Sequence, residues 1–280
     1  GGGPSGGSAM FAILNSRIKL SDILQGIIVQ SGNDASIALA EAIAGDEPTF
    51  GRIMTERVRG LGLTKSVFRN ATGMPDPQQR VTARELALLA DHIIKTYPEL
   101  YKIFGQREFT WNKIRQQNRN PLLNDGIGAD GFKTGWTNEA KYCLVSTVKR
   151  NDLRLVATVM GCPEPRGNFR DSMAIYNYGF ARYAYKEFAN QGAVCGLTRV
   201  GKGVSEAVEV VAGGNIGSIC EKGQEKQVTW ERSITSYVNA PVKKGDRLGE
   251  AQVFVDGKLV KKIPLIAAKD VAQASPFNTV

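Results

Sequence analysis

The sequence predicts an α+β protein of two domains, in which helices and an antiparallel sheet are followed by a small all-β domain. Three observations predict this. Apolar residues recur at helical spacing between residues 21 and 97, two strand-like runs meet at Asn151-Asp152, and short glycine-punctuated β-rich segments follow residue 190. A chain of 280 residues exceeds the usual length of one domain. We therefore expect domains at residues 1–188 and 189–280.

The first part of the chain is expected to be helical. Ser21 is the predicted cap of a short first helix, and Thr82 with Glu85 forms a capping box at the start of the last one. Apolar spacing places the helices at residues 21–28, 34–43, 50–58 and 82–97. The motif Ser31-Gly32-Asn33 should lie in a tight turn between the first two helices.

The antiparallel sheet is predicted from three consecutive strands. The first, Asp130 to Trp136, carries Lys133-Thr134-Gly135, and residues 142–149 and 153–160 form a hairpin. A helix over residues 171–187 is expected to close the first domain. In the second domain, the clearest hairpin turns at Asp256-Gly257.

Composition excludes several classes of protein. Hydrophobic residues are 42% of the chain, and no apolar run approaches the roughly 20 residues that a membrane span needs. The formal charge of +9 would suit an anionic partner such as nucleic acid, an acidic lipid surface or an acidic polymer. Because the basic residues are spread along the chain, a solvated basic surface without nucleic-acid binding is the favoured interpretation.

Cysteine and histidine are too sparse for a zinc site. Four cysteines stand far apart without a C-x-x-C motif, and whether any pair forms a disulfide is left open. The single histidine, His92, lies beside the apolar face of the helix at residues 82–97 and is interpreted as structural. Catalysis by Ser-His-Asp or Cys-His groups needs a positioned imidazole, so a hydrolase here must activate its nucleophile with lysine.

Two short polar motifs about a hundred residues apart carry the chemistry. On a strand, Lys133 supplies a positive charge for a carboxylate, Thr134 a hydroxyl donor, and Gly135 room for a substrate backbone. Ser31 offers a hydroxyl that can relay a proton, and Asn33 an amide that can bind a carbonyl. An Asx turn before the next helix would explain Asn33 equally well.

Three stretches closely resemble the low-molecular-mass penicillin-binding proteins, the D-alanyl-D-alanine carboxypeptidases of serine peptidase family S11. They are Gly-Ile-Ile-Val-Gln-Ser-Gly-Asn-Asp-Ala-Ser (26–36), Phe-Thr-Trp-Asn-Lys-Ile-Arg-Gln-Gln-Asn-Arg-Asn-Pro-Leu-Leu (109–123) and Ala-Asp-Gly-Phe-Lys-Thr-Gly-Trp-Thr (129–137). The resemblance covers nearly the whole chain. It implies a penicillin-binding, β-lactamase-like transpeptidase domain followed by a β-rich domain.

The resemblance also implies an activity. A penicillin-sensitive enzyme of this family trims the terminal D-alanine from peptidoglycan stem peptides in the periplasm, through an acyl-enzyme on an S-x-x-K serine and without a cofactor or metal. Ser31 and Asn33 would be the proton-relay and amide members, and Lys133, Thr134 and Gly135 would grip the substrate's terminal carboxylate. β-Lactams would bind in the same place, and nucleic acid is not expected as a partner.

Departures from the family pattern limit this assignment. The formal match Ser16-Arg17-Ile18-Lys19 is rejected as the S-x-x-K motif, because it lies in a loop and not at the start of a buried helix. We therefore expect that the first part of the catalytic domain is missing and that this chain alone is inactive. Arg166 and Arg170 flank the place where the family often has a carboxylate-binding basic residue, and either could serve.

The family resemblance also leads to an expected localisation and to alternative functions. Family members often end in an amphipathic membrane-anchoring helix, so peripheral attachment to the inner membrane is expected through a segment outside these residues. A non-catalytic envelope protein of this fold, which binds peptidoglycan or a partner, is the alternative. A β-lactamase is a third hypothesis, but nothing corresponds to the deacylating glutamate of the class A enzymes, and the β-rich second domain is foreign to them.

Overall fold

The computed structural model describes residues 7–13 and 16–275. The chain divides into two compact units between Tyr178 and Gly179, inside a helix that spans Gly167–Arg182. The boundary expected between residues 188 and 189 falls ten residues later, within a strand. As predicted, helices and an antiparallel sheet occupy the first unit and strands the second.

Three helices open the first unit, α1 (Leu20–Ile28), α2 (Asn33–Ala44) and α3 (Glu47–Gly60). The prediction that Ser21 caps α1 was wrong. The cap position is Lys19, which has an extended backbone and no capping side chain, and its carbonyl accepts the first helical hydrogen bonds from Asp22 and Ile23. Helix α3 has a side-chain cap, since the Asp46 carboxylate accepts a hydrogen bond from the Thr49 N–H.

Helix α4 (Ala83–Thr96) begins after Thr82, and half of the predicted capping box forms. The Thr82 hydroxyl accepts a hydrogen bond from the Glu85 N–H at 3.2 Å. The Glu85 carboxylate does not return to Thr82; it accepts hydrogen bonds from the Ser66 hydroxyl and the Lys65 N–H, which hold its pKa below the usual range. The buried carboxylate thus fastens the segment before α4 to the helix.

Short elements connect α4 to the sheet. Helix α5 (Pro98–Tyr101) is followed by a two-stranded hairpin of β1 (Glu108–Trp111) and β2 (Ile114–Gln117). A three-stranded antiparallel sheet comes next, formed by β3 (Ala129–Thr137), β4 (Lys141–Arg150) and β5 (Leu153–Cys162). Its order is β3-β4-β5, so β3 lies at an edge of the sheet. Helix α4 packs against β5.

The last helix, α6 (Gly167–Arg182), starts earlier and ends earlier than the predicted helix at residues 171–187. Residues 183–187 belong instead to β6 (Tyr183–Ala189), which pairs with β9 (Ile216–Glu221). The helix buries Tyr176, whose hydroxyl lies 2.8 Å from the Ser146 hydroxyl on β4. Strand pairing beyond residue 182 overrides a helical apolar pattern that continues through Tyr183.

The second unit is built almost entirely from strands. Besides β6 and β9 they are β7 (Val194–Gly201), β8 (Ala207–Ala212), β10 (Val228–Ile234), β11 (Tyr237–Asn239), β12 (Arg247–Val255) and β13 (Lys258–Ala267). Six of them form one sheet in the order β10-β12-β13-β8-β7-β11. The predicted turn at Asp256-Gly257 is confirmed, and both residues have positive φ, as a type I′ hairpin turn requires. Val210, Val253 and Leu265 are fully buried in the core.

Within the described residues, no helix is both long and apolar enough to cross a membrane. All four cysteines are free thiols, which answers the question that spacing left open.

Candidate functional site

The turn at Ser31 joins α1 to α2, as the sequence predicts. Ser31 has a φ of 59°, in the left-handed region that few non-glycine residues adopt. The N–H of Gly32 donates to the carbonyl of Gly26 at 3.0 Å, and Asn33 starts α2. The surrounding backbone thus helps to hold Ser31 in this uncommon conformation.

Asp34 holds this turn against residues 8–12. Its carboxylate accepts hydrogen bonds from the N–H groups of Met10 at 2.8 Å and Ala12 at 2.9 Å. The Asn33 N–H donates to the carbonyl of Ser8. No local sequence pattern indicates this function of Asp34, because its partners lie more than 20 residues away.

Asn33 has no side-chain hydrogen bond within the described residues, and α2 has no side-chain cap. The Asx-turn explanation therefore has no support in the structure. An amide without a protein partner, two residues from Ser31, has donor and acceptor groups left for a ligand.

The structure brings Lys133 and Ser31 together. Lys133 lies on β3, and its Nζ donates hydrogen bonds to the Ser31 Oγ at 2.9 Å and to the Thr134 carbonyl at 3.0 Å. The two motif residues are 102 positions apart in the sequence. The turn and the edge strand thus meet at one site.

The surroundings of Lys133 change the pKa of its amine. Burial, together with the positive charge of Arg119, lowers the pKa of Lys133 to about 8. Arg119 lies in the amide- and arginine-rich segment at residues 109–123 and is not among the predicted site residues. Only the folded chain brings Arg119 near Lys133. The resemblance of residues 109–123 to the family was the one sequence signal that this segment has a function.

A polar network lies at the start of β3. Arg154 of β5 binds both carboxylate oxygens of Asp130, at 2.7 and 2.8 Å, and donates to the Thr147 hydroxyl. The Tyr101 hydroxyl donates to the same carboxylate at 2.7 Å, and burial with this hydrogen bond raises the pKa of Tyr101 above its usual range. The network ties the first residues of β3 to its sheet and to the helix before it.

Beyond Lys133 the strand is open. A Cβ atom built on Gly135 would meet no atom within 4 Å, so protein packing does not require a glycine there. Trp136 is 56% exposed and packs against Tyr142, its cross-strand partner. The free space at Gly135 fits the expectation that a ligand backbone approaches the strand at this point.

Arg166 and Arg170 are not joined to Lys133 or Ser31 by any hydrogen bond, ion pair or ring contact between described residues. The Arg166 guanidinium lies over the ring of Phe169, and Arg170 binds the carboxylates of Glu164 and Asp171. Their assignment to a carboxylate site stays a prediction.

His92 is half-buried on α4. Its Nδ1 is 3.3 Å from the Thr96 hydroxyl, and its ring packs edge-on against Tyr97. These contacts fit the structural interpretation of His92.

Two formal S-x-x-K sequences differ from a nucleophile motif in their geometry. Ser16 is exposed, and its hydroxyl donates to the Ile13 carbonyl. The other match, Ser146-Thr147-Val148-Lys149, is not among the sequence predictions and lies on β4. Positions i and i+3 of a strand face opposite sides, so Ser146 is buried against Tyr176 while Lys149 is exposed. In a helix the same spacing would place both side chains on one face.

Comparison with known families identifies both parts of the chain. A family model described as D-alanyl-D-alanine carboxypeptidase (peptidase S11) matches residues 2–164. The C-terminal domain of penicillin-binding protein 5 matches residues 183–273.

Individual relatives agree with these matches. The chain is 37% identical to D-alanyl-D-alanine carboxypeptidase DacA of Haemophilus influenzae, over 97% of this chain and 70% of that protein. It is 36% identical to DacC of Escherichia coli, over 98% of this chain and 69% of that protein. The solved structure of penicillin binding protein 5 from Haemophilus influenzae superposes with a TM-score of 0.71 at 35% identity, covering 96% of this chain and 79% of that one.

A further solved structure carries a bound β-lactam. Penicillin-Binding Protein D2 from Listeria monocytogenes, in its ampicillin-bound form, matches with a TM-score of 0.57 at 27% identity. The match covers 62% of this chain and 73% of that protein.

Proposed function

The chain belongs to the peptidase S11 family of D-alanyl-D-alanine carboxypeptidases, and on that premise we propose that the cleft between Ser31 and Lys133 binds the D-Ala-D-Ala end of peptidoglycan stem peptides. The observation that carries the proposal is the 2.9 Å contact between Lys133 Nζ and Ser31 Oγ. It joins the two motifs that the family uses for proton relay and substrate binding.

Lys133 is the proposed anchor of the terminal carboxylate. With a pKa of about 8, its ammonium group is mostly charged at neutral pH. The Thr134 hydroxyl would add a hydrogen bond, and the ligand backbone would lie along the outer edge of β3 at Gly135. Binding through Lys133 should weaken as pH rises through 8, because the neutral amine no longer attracts a carboxylate.

Arg119 is a better-supported second cation than Arg166 or Arg170. Its charge acts on Lys133, so it also adds to the positive potential that a carboxylate meets there. Arg170 is already bound to two carboxylates, and Arg166 is packed on an aromatic ring. We retain the latter two as candidates only for contacts farther from Lys133.

Ser31 and Asn33 are assigned to the proton relay and to ligand binding. In the family's reaction, an S-x-x-K serine takes the acyl group and D-alanine leaves. Ser31, hydrogen-bonded to Lys133, would pass a proton toward the leaving nitrogen, while the Asn33 amide would bind a carbonyl of the stem peptide. A β-lactam would occupy the same cleft as a mimic of D-Ala-D-Ala, and the site of action would be the periplasmic face of the cell envelope.

Binding can be tested on the chain as it stands. We expect a diacetyl-L-Lys-D-Ala-D-Ala peptide, titrated into ¹⁵N-labelled protein, to shift the backbone amide signals of residues 31–33 and 133–136. Lys133→Gln should weaken binding by about tenfold or more, since an ion pair with the carboxylate is lost. Gly135→Ala should also weaken it while leaving the fold intact, because its methyl group would enter only the ligand's space.

Two controls make the titration specific. Lys141→Gln removes an exposed lysine from the same hairpin without touching either motif and should leave the affinity unchanged. The L-Ala-L-Ala isomer should bind more weakly than the D,D peptide. Equal shifts with both isomers, or shifts confined to other surfaces, would contradict the proposed function.

A further inference from the structure

We propose that Ser31 and Lys133 also form a serine–lysine dyad, in which Ser31 itself accepts an acyl group from an activated acyl compound. This reaction differs from the relay function, where Ser31 only passes a proton and another serine is acylated. It does not depend on that function. The substrates would be activated esters and strained acyl compounds, because their leaving groups depart without a general acid.

The geometry meets the first requirement of a nucleophile and its base. The Lys133 Nζ and Ser31 Oγ atoms are 2.9 Å apart, inside the range for direct proton transfer. A second hydrogen bond, from Nζ to the Thr134 carbonyl, holds the amine on the side of Ser31. The Gly32–Gly26 hydrogen bond helps to hold Ser31 in its left-handed conformation, in which its hydroxyl contacts that amine.

The second requirement is a lysine that loses its proton near neutral pH. A lysine with a pKa of about 8 is neutral in about a tenth of the molecules at pH 7, whereas an ordinary lysine is neutral in well under about 0.1%. Burial of Lys133 and the charge of Arg119 both act in this direction. Ser–Lys pairs are an established form of nucleophile activation, so the chemistry needs no additional group.

The third requirement is stabilisation of the oxyanion. Strand β3 lies at the edge of its sheet, so N–H groups on its outer side are not used by another strand of the described structure. The side-chain amide of Asn33 has no partner among the described residues, and Arg119 adds positive charge near Lys133. We expect these donors and this positive charge to stabilise the carbonyl oxygen as it becomes negative.

The reaction with p-nitrophenyl acetate illustrates the steps. Neutral Lys133 takes the proton from Ser31 Oγ as this oxygen forms a bond to the acetyl carbon. The tetrahedral intermediate then expels p-nitrophenolate and leaves an acetyl ester on Ser31, and the proton stays on Lys133. After Lys133 releases that proton to solvent, it accepts one from the water that attacks the ester, acetate leaves, and Ser31 regains its hydrogen.

The test uses the 280-residue chain, p-nitrophenyl acetate and peptide mapping by mass spectrometry. We expect acetyl on the peptide that contains Ser31, as an ester that alkaline hydroxylamine removes. Release of p-nitrophenol should increase with pH through about 8, because the neutral form of Lys133 is the base. Lys133→Gln should lower the Ser31-dependent rate by about a hundredfold.

Ser31→Ala and Ser31→Gly should both abolish labelling at this peptide. The glycine variant guards against misfolding, since glycine adopts a φ near 59° without strain. Ser16→Ala is the matched control: it removes an exposed serine, also followed three residues later by a lysine, and should leave the rate unchanged.

Acetyl found only on lysine amines or cysteine thiols, or a rate that Ser31→Gly leaves unchanged, would overturn the dyad. That outcome is distinguishable from failure of the proposed function, because D-Ala-D-Ala binding is measured separately by amide shifts. Labelling at Ser16 and not at Ser31 would likewise overturn the dyad.

Discussion

At the level of single residues, Lys133 has two opposing properties. It carries the charge that a carboxylate ligand needs, yet its surroundings disfavour that charge, as the lowered pKa shows. Hydrogen bonds to Ser31 and to the Thr134 carbonyl hold the ammonium in place. A binding residue whose charge is disfavoured by its surroundings should reduce the stability of the folded chain.

We therefore expect Lys133→Met to stabilise the fold at pH 7. The difference between a pKa of 10.5 and about 8 corresponds to about 3 kcal/mol, and the lost hydrogen bonds reduce the gain by about 1 kcal/mol. The penalty of charging Lys133 is complete below its folded pKa and falls as pH rises from about 8 toward 10.5. Urea unfolding of both proteins should show a difference that shrinks over this interval; a constant difference would contradict this account.

Single residues also show how far the sequence could predict the site. Ser31 and Lys133 are predicted as site residues because each belongs to a short motif with an evident chemical function. Arg119 and Asp34 were not assigned, since one acts through proximity to Lys133 and the other through N–H groups more than 20 residues away. Motif spacing reports residue type and order, and it contains no information about charges that only the folded chain brings close.

At the level of elements, close packing of α3 on the segment after it depends on one glycine. A Cβ atom at Gly51 would lie 2.7 Å from backbone atoms of Arg69. The buried Thr55 hydroxyl adds a hydrogen bond to the carbonyl of Phe68 and accepts one from its N–H. Helix and segment are therefore in backbone contact, with no flexible side chain between them that could move aside.

Gly51→Ala should destabilise the protein by about 2 kcal/mol, in the range for overpacking of a close contact. Gly60→Ala provides a control on the same helix, because a Cβ atom there would meet nothing within 4 Å. The control should be neutral or stabilising by up to about 1 kcal/mol, since alanine favours helix more than glycine. Thermal unfolding followed by circular dichroism compares the two, and equal effects would refute the packing argument.

Strands with strong turn signals were the most predictable elements. Asn151-Asp152 and Asp256-Gly257 separate strands at the expected positions, because a two-residue turn specifies both the break and the register. The helix at residues 171–187 was the least accurate prediction. Tyr183 fits a helical apolar pattern and a strand equally well, and only its pairing with Glu221 on β9 decides between them.

At the level of the whole molecule, each unit has a core of its own. The cluster around Val210, Val253 and Leu265 draws only on residues after 187, whereas Leu144 is buried in the sheet of the first unit. The sequence predicted two cores from length and composition. The predicted division at residues 188 and 189 lies ten residues after the boundary between the two compact units, because the change to short β-rich segments becomes visible only after residue 190, while the strands already begin at Tyr183.

We expect Leu265→Ala to remove about 3 kcal/mol of stability from the second unit, as truncation of a fully buried leucine does. Hydrogen exchange should then accelerate in strands β7 to β13 more than in β3 to β5. Leu144→Ala should give the opposite distribution. Uniform acceleration in both variants would mean that the chain unfolds as one cooperative body.

The direct connection between α6 and β6 restricts how the chain length can vary. Arg182 ends the helix and Tyr183 begins the strand, with no residue in between. Inserting or deleting one residue here would turn the side chains of β6 to the opposite face of the sheet. Natural insertions and deletions should therefore be rare at this junction and collect in the exposed turns at residues 151–152 and 256–257.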